Sequence, residues 1–159
     1  MDANPCLTFY GGEPPLLSID KIQSVMEALS GRCRFMLHTN GTLLDQVPDG
    51  ILNRLQTIIV SIDGRETTHD RNRGGRGTYQ QIIGNCRKIQ AMKIPADFIG
   101  RMTVTEETDI YRDVMHLAFD TDGLFPSVHW QLDANFSETY CRDTYSDWVD
   151  HSYIPGLFR

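Results

Sequence analysis

Five β-prone runs alternate with helical segments along this chain, and that alternation restricts it to a parallel α/β architecture. The runs occupy 7–10, 34–38, 57–62, 98–104 and 128–132. Between the first two, Ser18 reads as an N-cap, Asp20 sits in the first turn, and Ile19, Ile22, Val25, Met26 and Leu29 form an apolar stripe ended by Gly31. Residues 51–55 read as a short helix, and 65–77 as a polar, arginine-rich loop. Thr78 and Gln81 make a capping box that opens a helix with Ile82, Ile83, Cys86 and Ile89 on one face. A helix over 109–119 carries Ile110, Val114 and Leu117, and a tail helix over 145–153 is expected to stop at Pro155-Gly156. At 159 residues the chain can bury a core as one domain, 1–159. It cannot close an eight-unit barrel, which takes about 250 residues.

Composition narrows the function. Fifteen Lys and Arg against 21 Asp and Glu give a net charge of −6, which argues against a nucleic-acid surface, since phosphates demand a basic patch. Cys6, Cys33, Cys86 and Cys141 are too scattered for a metal clip or a disulfide framework. No signal-peptide pattern or membrane-length apolar run occurs. The expectation is a cytoplasmic protein with reduced thiols and no metal held by this chain.

The unusual residues lie at strand ends. Gly11-Gly12-Glu13-Pro14, Thr39-Asn40-Gly41, Ser61-Ile62-Asp63-Gly64 and Gln131-Leu132-Asp133 all follow β-prone runs. In parallel α/β folds the carboxyl edge of the sheet is where ligands bind. Paired glycines expose backbone N–H and C=O groups to a ligand, and a neighbouring carboxylate suits an ammonium group. Ser61 and Asp63, two apart, share a face. Arg73 or Arg76 could clamp a carboxylate. His69-Asp70 reads as a loop hydrogen bond more readily than as a ligand pair, and the 74–77 glycines lack both nucleotide-loop spacings. Arg101 and Thr103 alternate, as do His129 and Gln131 against Trp130 and Leu132; the pattern leaves open which set faces inward.

Taken in order, Phe9-Tyr10-Gly11-Gly12-Glu13-Pro14, Thr39-Asn40-Gly41, Ser61-Ile62-Asp63-Gly64, His69-Asp70 with Asn72-Arg73, and Gly77-Thr78-Tyr79 resemble the radical S-adenosylmethionine superfamily. The branch they resemble is that of peptide- and protein-modifying enzymes similar to anaerobic sulfatase maturases. The resemblance implies a partial (β/α)6 TIM-like barrel holding a [4Fe–4S] cluster and S-adenosylmethionine (AdoMet), and oxidoreductase-like radical chemistry on a peptide or protein with an external reductant. It implies that the backbone of Gly11, Gly12 and Glu13 holds the methionine amino group, and that Ser61 and Arg73 take the carboxylate and ribose side. Thr39, Asn40 and Asp63 would belong to the same cofactor cleft, with Gln131 and Leu132 at the adenosyl or substrate end.

The family's CxxxCxxC motif precedes the Gly-Gly-Glu-Pro strand, whereas the ten residues before Gly11 hold only Cys6. The expectation is therefore five of six βα units, with the first unit and its cluster missing, in an inactive piece of a longer enzyme. Strand 7–10 would then be an open edge inviting self-association. Two other readings compete: a truncated homologue that binds peptide or AdoMet without catalysis, and a metal-dependent barrel hydrolase using Asp63, His69 and Asp70.

Overall fold

Parallel pairing in strict chain order gives the molecule its shape. In the computed structural model, which describes residues 4–13, 19–73, 75–133 and 142–159, strands β1 (Cys6–Phe9), β2 (Arg34–Thr39), β3 (Leu55–Ser61), β4 (Asp97–Val104) and β5 (Ser127–Leu132) form one sheet ordered β1-β2-β3-β4-β5. Every neighbouring pair is parallel. Sequential order with helical crossovers makes this sheet an arc of a TIM-like barrel, as the alternation predicted.

The crossovers are α1 (Ile19–Ala28), a 3₁₀ turn with α2 (Asp49–Leu52), α3 (Glu66–Arg73) with α4 (Thr78–Ala91), and α5 (Ile110–Phe119). Alternation along β4 buries Phe98, Met102 and Val104 against this helix layer. Ile58, Val60, Leu37, Ile82, Cys86 and Leu117 complete a continuous apolar core. Each fully buried aliphatic side chain there contributes about 1.5–3 kcal/mol. The other face, with Arg101 and Thr103 on β4 and Gln131 on β5, is concave and polar.

Four local expectations change. The segment expected as a loop over 65–77 contains α3, an eight-residue helix without an apolar stripe. Asp113, wholly buried on α5, holds its start: its carboxylate accepts from Arg65 N (2.9 Å), Arg65 Nε (2.8 Å) and Thr68 Oγ1 (3.1 Å). Gly64 makes room, since a Cβ there would lie 2.3 Å from Asp113 Cβ. Secondly, Thr78 does not cap α4. Gly77, at φ 91°, occupies the cap position, and the Asp70 carboxylate from α3 accepts from Gly77 N (2.6 Å) and Tyr79 N (2.8 Å). Thirdly, the short helix closes at Leu52 and Leu55 opens β3. Fourthly, Pro155 does not stop the tail. Helix α6 (Arg142–Trp148) runs through a π turn into α7 (Ile154–Leu157), and Pro155 lies in the first turn of α7. Pro14, the Ser18 cap and Cys141 lie outside the described residues.

Candidate functional site

At the carboxyl edge of the sheet the strand ends enclose a cavity of about 310 Å³. Its walls come from all five strands or their exits and from the end of α3: Tyr10, Gly11, Gly12, His38, Thr39, Asn40, Ser61, Arg73, Arg101, Thr103 and Gln131. The backbone turns away after β1 through Gly11 (φ 105°) and Gly12 (φ 55°). At Gly11 a Cβ would meet open space, so it is the positive φ that demands glycine, and the vacant side is left to a ligand.

Arg73 enters the cavity from the end of α3. Its Nε donates to Asp63 Oδ2 (2.7 Å) and its terminal nitrogen to Thr103 Oγ1 (2.8 Å). Asp63 is 1 % exposed; its other oxygen accepts from Thr103 N (2.8 Å), and its own N–H is directed to His69 Nδ1 (3.2 Å). Asp63 is thus a buried brace that orients Arg73 from behind the wall. His69 is fully buried inside α3, and burial lowers its pKa from 6.5. Asp70 is committed to α4. Among the described residues no three His, Cys, Asp or Glu side chains converge on a metal position, and in the Asp63, His69, Asp70 set of the hydrolase reading both carboxylates and His69 Nδ1 are engaged in these structural bonds.

Glu13 also works from behind. It is 5 % exposed, accepts from the Thr39 hydroxyl on Oε1, and accepts from Asn40 N on Oε2 (2.7 Å). The Glu13 carboxylate thereby ties the β1 exit to the β2 exit. Leu132 does not reach the cavity. It pairs with Val104 and packs on the helix side of β5, while Gln131 faces the concave side, which resolves the alternation that the sequence left open. Gly11, Gly12, Thr39, Asn40, Ser61, Arg73 and Gln131 are brought together as expected.

Four residues join them that the motif reading did not assign: Thr103, which holds Arg73, and Tyr10, His38 and Arg101. Arg101 reaches across the concave face, donating to Gln131 Oε1 (2.6 Å) and meeting His38 Nδ1 (3.3 Å). An arginine can only donate, so His38 Nδ1 accepts and Nε2 carries the proton that it shares with Ser61 Oγ (3.1 Å). The Ser61 hydroxyl hydrogen is thereby left for the cavity. Burial, followed by the Arg101 and Arg73 charges, pushes the His38 pKa below 6.5. Tyr10 stacks on His38, ring centres 4.9 Å apart. The available signal was position: His38 and Tyr10 each precede a glycine-bearing strand exit.

No protein-family model matches the chain, and no curated protein matches it. Solved structures do. Hexahistidine-tagged anSMEcpe with bound AdoMet matches at TM-score 0.70 and 19 % identity over 96 % of this chain and 44 % of that one. Native anSMEcpe with bound AdoMet matches at 0.69 and 19 %, over 97 % and 46 %. Native anSMEcpe with bound AdoMet and Cp18Cys peptide matches at 0.67 and 18 %, over 93 % and 45 %. These neighbours are of the group that the motifs resemble, radical AdoMet enzymes. At such identities the likeness establishes a shared fold, and the chain spans less than half the length of each.

Proposed function

We propose that the cavity is an AdoMet site in the core of a radical AdoMet enzyme that modifies a peptide or protein. The observation that carries this reading is the set of complementary groups gathered on one cavity. Arg73, braced by Asp63 and Thr103, stands with the Ser61 hydroxyl as a pair of donors for a carboxylate. The Gly11-Gly12 turn bares backbone for an ammonium group. An amino-acid ligand needs both, and AdoMet supplies in addition an activated carbon–sulfonium bond. Thr39, Asn40 and Gln131 line the remaining wall, with Glu13 and Asp63 as braces. The bound AdoMet and peptide of the structural neighbours support the reading.

The described residues do not fit an iron–sulfur cluster. Cys6 is exposed, Cys33 half-buried, and Cys86 lies in the helix layer with its thiol pushed up to about 12 by burial. In this proposal the cluster belongs to polypeptide outside these 159 residues, packed beside β1, whose outer edge has no strand partner among the described residues. Without that cover the β1 edge would let copies of the chain associate. The intact enzyme is read as cytoplasmic and fed by a reductant; among the described residues no helix is long and apolar enough to cross a membrane.

Calorimetric titration with AdoMet tests the site. Binding is expected, weakened at least about tenfold by Arg73→Gln, which removes a charge-assisted bond. Absence of binding to the wild-type chain overturns the reading. An in-frame CxxxCxxC encoded ahead of Leu7 separates the enzyme from a non-catalytic binding module.

A further inference from the structure

The two arginines of the cavity differ in charge balance. Arg73 is neutralised by Asp63 at 2.7 Å. Arg101 has no carboxylate partner among the described residues: both its bonds go to neutral groups, Gln131 Oε1 and His38 Nδ1. Those partners hold the fork in place from β5 and β2 without cancelling its charge. A guanidinium has five N–H groups, so most of its donors remain for something else. Arg101 and Thr103 are two apart on one face of β4, roughly 7 Å, and Arg73 already occupies Thr103. The cavity therefore holds two separate donor forks, one paired with a carboxylate and the other, among the described residues, with neutral groups alone.

We infer that Arg101, steadied by Gln131 and His38, is the binding residue for a carboxylate of the substrate. This rests on the AdoMet reading above, which adds its own electrostatic reason. AdoMet carries a sulfonium and an ammonium against one carboxylate, so its binding adds net positive charge beside a cation that has no carboxylate partner among the described residues. The buried Glu13 carboxylate offsets one charge. A carboxylate on the substrate would meet the free N–H groups of Arg101, whereas a neutral substrate would leave them desolvated without a counter-charge, which is costly. The substrate class is an acidic one: an aspartyl or glutamyl side chain, or a chain-terminal carboxylate.

Three capped probes distinguish the sources. They are N-acetyl-Gly-Asp-Gly-amide, its Asn isostere, and N-acetyl-Gly-Asn-Gly with a free terminal carboxylate, each titrated into the chain at saturating AdoMet. At least one carboxylate probe is expected to bind about tenfold more tightly than the neutral probe. Arg101→Gln should collapse that ratio towards one, and Arg101→Lys, a point charge without the fork, should restore part of it. Circular dichroism and thermal melting verify the fold of each variant, and if the glutamine form does not fold the lysine form carries the comparison through a reduced ratio. Equal binding of all three probes overturns the proposal, as does a carboxylate preference that survives both substitutions. So does a larger loss for AdoMet than for the acidic probe in Arg101→Gln, since Arg101 would then serve the cofactor. The AdoMet isotherm of the wild-type chain reads the parent proposal separately. If AdoMet fails to bind, the same probe ratios are measured without it and are still decided by Arg101.

Discussion

Helices α3 and α4 follow one another in the chain and are held by opposite physics. Helix α4 presents Ile82, Ile83, Cys86 and Ile89 to the core, all under 5 % exposed. Helix α3, Glu66–Arg73, has no aliphatic side chain; its buried residues are Thr68 and His69. It is fastened by three carboxylates instead: Asp113 at its start, Asp63 on Arg73 with its backbone on His69, and its own Asp70 on the next helix. Apolar contact is tolerant in direction, whereas a hydrogen-bonded carboxylate fixes angle as well as distance. The helix that delivers Arg73 to the cavity is the one held directionally.

The largest expected effect comes from the apolar member. Ile82→Ala leaves a void in the core and should cost about 2–5 kcal/mol, with protection from hydrogen exchange falling across α4 and the sheet together. Loss confined to α4 would show that the two helices are not anchored differently. Asp113→Ala removes a fully buried acceptor from Arg65 and Thr68. Breaking such a pair costs about 3–5 kcal/mol when both partners are buried. Arg65 is 36 % exposed, so the lower end of that range, about 3 kcal/mol, is expected. Here exchange should rise in α3 while α4 stays protected, and AdoMet affinity should drop as Arg73 loses its mount. Uniform loss of protection would place Asp113 in the common core.

Acid should act on α3 as well. Burial holds the pKa of both His69 and His38 below 6.5, so between their folded values and 6.5 the unfolded chain binds more protons. Stability is therefore complete above about 6.5 and declines as pH falls below it. His69→Asn keeps an acceptor near the Nδ1 position without a titrating ring. Denaturant midpoints between about pH 7.5 and 5 should fall less steeply for this variant than for wild type; parallel slopes would remove His69 from the account.

The contrast also explains what could be read from sequence. The parallel sheet and α4 were legible because their cause is periodic, with β-branched runs and an aliphatic stripe at helical spacing. The strand-end polar clusters were legible because turn chemistry alone does not place so many at one edge. Helix α3 was hidden, since its cause lies in Asp113, far along the chain on α5, and no local pattern reports a buried carboxylate acting at that range. The same holds inside the cavity. Glu13 and Asp63 were marked by type and position, but whether a carboxylate faces the ligand or braces the wall depends on which N–H groups lie behind it. Arg101 was visible as an alternating strand residue. Its significance came only with neighbours from β2 and β5.

The smallest effect bears on the joint between the two helices. A capping box at Thr78 would make that hydroxyl the acceptor for the α4 N-terminus. In the structure the Thr78 hydroxyl donates to Gly75 O (2.9 Å), and the acceptor is Asp70. Burial raises the Asp70 pKa, but the Tyr79 and Gly77 N–H groups, with the His69 and Arg76 charges, together outweigh it and hold it below its ordinary value. Asp70→Ala should therefore cost about 1 kcal/mol, the usual worth of a cap, and Thr78→Ala less. Because a depressed carboxylate stabilises only while ionised, the Asp70 contribution should persist through neutral pH and vanish as pH falls below its ordinary value of 3.8. Wild type and Asp70→Ala should then converge in denaturant midpoint at low pH, whereas Thr78→Ala should keep a constant offset. The reverse ranking would return the cap to Thr78 and remove Asp70 from the joint between α3 and α4.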